Sequence, residues 1–254
     1  MIAPHVHIPF DRIPEYIDLI IENRLNLEIY FSSASLDTVS NKSIFAVMEI
    51  LTHNPSLSIH APFMDISPGA VDSKVREVML GRFSHILDIS EILKPKTIVF
   101  HSGYDKWKYE LKLDLWLEKS LMTWQPLNAR AASQGVKIAI ENIFEEAPIN
   151  LKILMEEMNS DNFGVCFDTG HFNLFSKSPL KDWIASLKPY IIELHLHDND
   201  RTSDQHLPVG DGTFNFISFF ELLSNKNCIY TLEAHSPENV LKSMKALHAL
   251  TAAF

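Results

Sequence analysis

Cysteine is scarce in this chain of 254 residues, and the chain also lacks a long apolar run. Cys166 and Cys228 both lie inside apolar segments, which excludes a disulfide framework and is typical of small buried side chains in a reducing compartment. The apolar run YIDLII is too short to cross a bilayer, and the N-terminal MIAPHVHIPFDR lacks the basic and apolar segments of a secretory signal. We therefore expect a cytoplasmic protein with no membrane partner.

Positive charge is also in short supply. The chain has 22 Lys and Arg against 32 Asp and Glu, a formal charge of −10. This balance argues against nucleic acid as a partner, because duplex binding depends on neutralising phosphates with Lys and Arg. Two or three bound divalent cations would bring the charge to about −6 or −4, which weakens that argument. Glycine-rich phosphate loops are missing as well, so a dinucleotide-binding open sheet is disfavoured.

The chain does have a strict alternation of short apolar, β-rich runs with longer helical patterns. Eight such pairs in this length predict a parallel sheet closed into a single (β/α)8 barrel domain over residues 1–254, with an open doubly wound sheet as the alternative. The predicted strands are His5–Phe10, Leu25–Phe31, Ser56–Phe63, Thr97–Gly103, Val136–Ile143, Phe163–Gly170, Ile191–Asp198 and Cys228–His235. The predicted helical segments include Ile13–Asn23, Val71–Leu93, Lys108–Gln134, Leu180–Leu187 and Pro237–Leu250.

Nearly every predicted strand ends in a residue type that binds metals. In a parallel barrel these ends share one face, which is where active sites of the fold are found. A buried histidine alone is ordinary, but ionised carboxylates such as Glu141 and Glu233 after apolar runs must be paired. The residues at the strand ends are His60, His101, Glu141, Asn142, Asp168, His171, Glu233 and His235.

The segment from Ile191 to Gly212 is the densest part of this pattern. An apolar strand leads into IIELHLHDNDRTSDQHLPVGDG, which contains His195, His197, Asp198, Asp200, Asp204 and His206. Burying imidazoles and carboxylates together is costly unless a cation neutralises them. Asp204 and His206 are two residues apart, so an extended backbone points both side chains to one side, where they can bind one ion. The segment therefore predicts a metal site.

In this order, the motifs IHAPF, FHSG, IENI, FDTGH, HLHD, DQHLPVGDG and LEAH resemble the xylose isomerase-like barrel superfamily. This superfamily includes sugar isomerases and epimerases of the tagatose-epimerase type and the endonuclease IV type of abasic-site endonuclease. The resemblance implies a metal centre at Glu141, Asp168, His195 and Glu233. The endonuclease branch uses further zinc ligands, which match His60, His101, His171, Asp204 and His206.

The resemblance leaves one register open, because His195-Leu-His-Asp198 and His197-Asp-Asn-Asp200 both fit the family pattern of His-x-x-acid. We favour His195 as the ligand, on its spacing to Asp204 and His206, and interpret His197 as a pocket residue. Arg201 corresponds to an arginine that epimerases of this group place near the substrate. His171 is then a substrate-binding residue as well, and His7 on the first strand either lines the pocket or lies at the surface.

Two chemistries fit this set of residues. In a sugar isomerase or epimerase, a divalent cation polarises the carbonyl of a small sugar or sugar phosphate while Glu141 and Glu233 exchange a proton as general base and acid. In an endonuclease IV-like phosphoesterase, two or three zinc ions generate hydroxide and stabilise the phosphate. A non-catalytic metal- or sugar-binding barrel is a third possibility.

The extra histidines favour the hydrolase, whereas the loops FSSASLD and MDISPGA contain no Arg or Lys and favour a small substrate. We predict the isomerase or epimerase. We also expect at least two divalent ions, with zinc at the histidine-rich positions and zinc or manganese at the carboxylate-rich centre. The sequence leaves the homo-oligomeric state open.

Overall fold

Eight parallel strands pair in sequence order, and the last pairs with the first to close a barrel. The structure is a computed structural model that describes residues 2–224 and 227–252. The predicted (β/α)8 barrel is therefore confirmed. The strands are β1 (His5–Pro9), β2 (Asn26–Tyr30), β3 (Leu57–His60), β4 (Thr97–His101), β5 (Lys137–Glu141), β6 (Phe163–Asp168), β7 (Ile191–Leu196) and β8 (Ile229–Leu232).

The described residues form ten α-helices and one 3-10 helix, Phe10–Tyr16, around the barrel. More α-helices form than the eight predicted, because two of the β–α connections contain two α-helices each. The α-helices are α1 (Ile17–Glu22), α2 (Ser33–Thr38), α3 (Asn41–Ile50), α4 (Ser73–Leu93), α5 (Leu113–Ser133), α6 (Ile149–Met158), α7 (Thr169–Phe175), α8 (Leu180–Leu187), α9 (Phe216–Leu223) and α10 (Pro237–Thr251). None of the helices in this part of the chain is long and apolar enough to cross a membrane.

The boundaries differ from the predictions at the start of one long helix and at the carboxyl ends of the strands. The predicted helix beginning at Lys108 begins at Leu113, because Glu110 and Leu111 adopt left-handed backbone angles (φ 52° and 63°) that end any helical turn before it. The strands are shorter than predicted at their carboxyl ends. Glu233 therefore follows β8 as the first residue of a loop.

Side chains alternate between the two faces of each strand, and this alternation separates an apolar layer from a polar interior. Outward-facing strand residues pack under the helices, together with the fully buried rings of Trp116, Trp124 and Trp183. The inward-facing layer includes two buried acids, Glu28 and Glu193. Glu193 accepts hydrogen bonds from Thr97 and Thr231.

Candidate metal centre and substrate cavity

The carboxyl ends of β3, β4, β5 and β6 bring four of the predicted site residues to one rim. His60, His101, Glu141 and Asp168 are each the last residue of their strand. The parallel register places His101 beside Glu141 and Asp168 beside His195. Neighbouring strands lie about 5 Å apart, so side chains from these positions reach one another.

His195 lies at the centre of the four residues that the family resemblance assigned to the metal. Its side chain is fully buried, and its Nδ1 atom lies 3.1 Å from Glu233 Oε1, 3.6 Å from Glu141 Oε1 and 3.8 Å from Asp168 Oδ2. Despite these neighbours, Nδ1 makes no hydrogen bond to any described residue. The atom is therefore directed between three carboxylates and not at any one of them, as expected of a nitrogen that ligates a cation.

Glu28 on β2 is part of this site, and the sequence reasoning missed it. Its side chain is fully buried, with Oε2 3.1 Å from His195 Nε2 and Oε1 3.0 Å from His7 Nδ1. A carboxylate that binds the far nitrogen of a metal-binding histidine fixes the tautomer and the orientation of the ring. The available signal was an acidic residue inside the apolar strand NLEIY.

A second group of histidines surrounds Glu141. His60 Nε2 and His101 Nε2 lie 3.2 and 3.3 Å from Glu141 Oε2, and His171 Nδ1 lies 3.0 Å from Glu141 Oε1. All three predicted residues therefore converge on one carboxylate. Asn142 supports the arrangement by pairing with the backbone of Asp168 in both directions, at 2.9 and 3.0 Å.

Asp204 and His206 approach the cluster from the loop after β7. His206 Nε2 lies 3.1 Å from Asp204 Oδ2, and its Nδ1 lies 3.4 Å from Glu233 Oε2. Asp204 Oδ2 is also 3.4 Å from His171 Nε2. The pair thus connects the β8 side of the rim with the β6 side.

His197 faces the same cluster one layer nearer to this loop. Its Nε2 lies 3.1 Å from Asp168 Oδ2, its Nδ1 has no hydrogen-bond partner among the described residues, and its ring stacks on His206 with centroids 4.0 Å apart. Gly170 makes room for the ring, since a Cβ there would lie 2.0 Å from His197 Cε1. His195 and His197 both face the cluster, and the three-carboxylate environment of His195 Nδ1 favours His195 as the ligand.

Three acidic or basic residues of the same loop have other partners. Asp198 accepts hydrogen bonds from the backbone N–H groups of Asn199, Gly212 and Phe214, at 2.9 to 3.0 Å, and so holds the loop closed. Asp200 accepts from Thr202 within a turn. Arg201 Nε donates to Asn173 Oδ1 at 3.1 Å.

His7 lies in the site and not at the surface. Its Nδ1 is 3.0 Å from Glu28 Oε1 and 3.2 Å from Glu233 Oε1. Burial opposes a charge on His7, but Glu233 and Glu28 outweigh it and raise the pKa of His7 to about 10.

The charges of the cluster balance one another in the same way. Burial alone would raise the pKa of Glu141 and of Glu233. Nearby histidines nevertheless hold the pKa of Glu141 well below the usual range, chiefly His101 and His195. The pKa of Glu233 is held equally low, chiefly by His195 and His7. Conversely, burial would lower the pKa of His195 and of His171, but neighbouring acidic groups raise both well above the usual value. Without a metal, the raised pKa values of His7, His171 and His195 therefore favour protons on these three rings, which offset the charge of the carboxylates.

The donor set fits one or more divalent cations. Several groups of three residues each offer ligand atoms within 4.8 Å of one another, among them His60, His101 and Glu141, and His197, His206 and Glu233. The unpaired Nδ1 atoms of His195 and His197 lie within this set. Imidazole with carboxylate is a ligand combination that suits zinc, and the more oxygen-rich part also suits manganese.

A cavity of about 820 Å3 opens above the cluster. His7, His60, His101, Glu141, His171, Asp204, His206 and Glu233 line its polar floor. Phe63, Met64, Phe144 and Phe175 form an apolar wall near the opening. Arg12 is the one Lys or Arg among the described residues that line it, and Arg201 does not reach it.

The family model for the xylose isomerase-like TIM barrel matches residues 46–250. The chain belongs to this family. The recognition from the sequence motifs is thus confirmed. The candidate ligands from His60 to Glu233 lie within the matched residues, whereas His7 and Glu28 precede them.

Three solved structures are similar over nearly the whole chain. A D-tagatose 3-epimerase-like protein is 22% identical with a TM-score of 0.83, covering 98% of this chain and 97% of that one. A protein of Thermus thermophilus soaked with ZnCl2 is 25% identical with a TM-score of 0.82, covering 100% and 99%. A D-psicose 3-epimerase studied with D-fructose is 15% identical with a TM-score of 0.73, covering 91% and 85%. The structural neighbours of this barrel thus include sugar epimerases.

Proposed function

We propose that the protein is a metal-dependent isomerase or epimerase of a small sugar, with Glu141 and Glu233 as the acid–base pair. The observation that carries the proposal is that both carboxylates face His195 Nδ1, at 3.6 and 3.1 Å, on the floor of a cavity open to small molecules. The epimerases among the similar barrels support the same reaction class.

The chemistry requires removal of a proton from a carbon next to a carbonyl. Glu141, Asp168, His195 and Glu233 would hold a divalent cation, which would supply Lewis acidity for the carbonyl oxygen. Glu141 and Glu233 have lowered pKa values and are ionised at neutral pH, so either can accept the substrate proton. For isomerisation, the carboxylate that took the proton can return it to the neighbouring carbon. Epimerisation needs a proton on the opposite face, which Glu233 could deliver only after receiving one from His7, whose Nδ1 lies 3.2 Å from Glu233 Oε1 and whose pKa is raised to about 10. His171 is placed to bind a substrate hydroxyl, since it lines the cavity beside Glu141.

Exchange of substrate hydrogen with solvent tests this function without knowledge of the product. D-fructose, D-psicose and D-tagatose are incubated in D2O with protein loaded with zinc or manganese, and deuterium at carbon is followed by NMR. We expect metal-dependent exchange that falls at least a hundredfold in Glu141→Gln, because the amide keeps the volume but loses the basicity. Glu146→Gln is the matched control. Glu146 lies five residues away and pairs with Lys106 and Lys177 outside the cluster. Equal exchange in wild type and Glu141→Gln would contradict the assignment.

The second candidate is an endonuclease IV-like zinc phosphoesterase. The convergence of His60 and His101 on Glu141 Oε2 favours it, because a one-metal isomerase does not need these two ligands. Against it, Arg12 is the one Lys or Arg among the described residues that line the cavity, so few long cationic side chains can reach a nucleic-acid backbone. Cleavage of a duplex containing an abasic site, lost in His101→Ala, would establish this reading in place of the isomerase.

A further inference from the structure

The cavity above the metal-binding cluster continues along the outside of β1. The side chain of His7 points into the barrel, so its neighbours Val6 and Ile8 point outward toward the helices. Together with Leu19 and Ile20 of α1, Leu27 of β2 and Val240 of α10, they line the inner part of the same cavity. We call these six residues the apolar limb.

The apolar limb is deep and uncharged. Val6 lies three residues before Pro9, which lines the cavity at the strand end, so at about 3.3 Å per residue the lining extends roughly 10 Å along β1. All six residues that define the limb are aliphatic. The whole cavity, at about 820 Å3, is near the upper end of the roughly 300–1,000 Å3 typical of small-molecule sites, which is more space than a single sugar ring requires.

Away from the metal-binding cluster, the cavity offers little for a phosphate. Arg12 is its one cationic Lys or Arg among the described residues, and the guanidinium donates to Glu15 from Nε at 2.9 Å and from Nη2 at 2.8 Å. Phosphate recognition relies on Arg or Lys groups that are available for bidentate or point-charge contacts. The acidic partner of Arg12 makes it a poor phosphate ligand.

We propose that the substrate is an uncharged sugar carrying an apolar substituent, which occupies the apolar limb while the sugar lies over the cluster. This assignment rests on the proposed isomerase or epimerase function. It narrows the substrate class from sugars and sugar phosphates to neutral sugar conjugates.

Alkyl glucosides of increasing chain length test the limb directly. Calorimetry on the full zinc-loaded chain would compare ethyl and n-hexyl β-D-glucoside, with hexan-1-ol and glucose 6-phosphate as separate probes. Burying each CH2 contributes about fourfold in affinity, so we expect n-hexyl glucoside to bind on the order of a hundredfold more tightly than ethyl glucoside. Equal affinities, or tighter binding of glucose 6-phosphate, would overturn the proposal. Binding of hexan-1-ol with no binding of either glucoside would overturn it as well.

Val240→Phe fills the limb from α10. We expect this variant to reduce the ratio of n-hexyl to ethyl glucoside affinity at least tenfold, with zinc affinity unchanged. Leu247→Phe, on the same helix but fully buried outside the cavity, is the matched control for overpacking. It should lower the melting temperature more than Val240→Phe does. If Val240→Phe does not fold, the smaller and more flexible Val240→Met tests whether filling the limb reduces the preference for the hexyl chain. The proposal would be overturned if the variant that folds keeps the full chain-length preference.

The outcome separates this inference from the function on which it rests. Metal-dependent deuterium exchange that requires Glu141, without a chain-length effect, leaves the sugar isomerase or epimerase standing and removes the apolar limb as a substrate site. A chain-length effect without exchange on any sugar leaves the limb as a ligand site. That outcome would contradict the proposed isomerase or epimerase reaction, and the ligand could then no longer be assigned as its substrate.

Discussion

Glu28→Gln provides a sharp test of how the barrel orients its metal ligand. Glu28 accepts hydrogen bonds from two rings, with His195 Nε2 at 3.1 Å and His7 Nδ1 at 3.0 Å. A carboxylate can accept both, whereas the amide of Gln has one acceptor oxygen and turns an NH2 donor toward the other ring. Only one ring can then keep its N–H···O bond to residue 28, and the other must give up either its proton or the contact. The network that fixes His195 Nδ1 toward the cation is thereby disturbed.

The expected size of the effect follows from the type of contact. Loss of an outer partner of a metal-binding histidine typically costs about 10–100-fold in metal affinity, or about 1.4–2.7 kcal/mol. We expect the zinc dissociation constant of Glu28→Gln to rise by that factor, measured by competition with a chromophoric chelator at pH 7. Circular dichroism of the metal-free variant establishes that the barrel still folds.

Glu193→Gln is the matched control, because Glu193 is another fully buried acid of the barrel interior. Burial and the nearby Glu28 raise the pKa of Glu193 to about 8, so its side chain is mostly neutral at pH 7 and resembles Gln in charge. Its partners Thr97 and Thr231 are hydroxyls, which can donate or accept. We expect less than about threefold change in zinc affinity by this reasoning. An equal loss in both variants, or none in Glu28→Gln, would refute the orienting role.

Three further outcomes are expected. His206→Ala should lower the zinc stoichiometry by one ion, measured by atomic absorption after dialysis, without emptying the carboxylate-rich centre; an unchanged stoichiometry would contradict a second ion at this residue. Because the pKa of His195 is raised well above its usual value, zinc binding at pH 7 should release protons, seen as a buffer-dependent heat, and affinity should fall as the pH falls. Gly170→Ala should destabilise the fold by about 1–3 kcal/mol in thermal melts, because the added Cβ would lie 2.0 Å from the His197 ring. Gly81→Ala is the control: a Cβ there has nothing within 4 Å, so this variant should be neutral or stabilising.

The strand-end residues could be predicted because their signal is local. Glu141 and Asp168 each close an apolar run, and a parallel barrel brings all such ends to one rim whatever the details of packing. The helix boundaries were predicted less well near Lys108, where left-handed angles at Glu110 and Leu111 depend on loop packing.

Glu28 could not be paired with His195 from the sequence, because 167 residues separate them and their contact arises across the barrel interior. The apolar limb was out of reach for a different reason. It is a space between β1, α1 and α10, and a sequence pattern identifies which residues turn outward without showing where the helices leave a gap. Arg201 illustrates the same limit, since its hydrogen bond to Asn173 follows from the path of a loop and not from its neighbours in sequence.

Side chains alternate between the two faces of a strand, which explains why the sequence alone did not decide whether His195 or His197 is the metal ligand. Residues two apart on a strand face the same side, so both rings point to the barrel axis and both satisfy the family motif. Their depths differ: His195 Nδ1 is surrounded by three carboxylates, whereas His197 Nε2 lies 3.1 Å from Asp168 and its Nδ1 faces Asp204 at 3.7 Å. The deeper ring is therefore matched to the carboxylate-rich centre. The shallower ring stands between that centre and the loop that carries Asp204, which is the position from which a second ion would be reached.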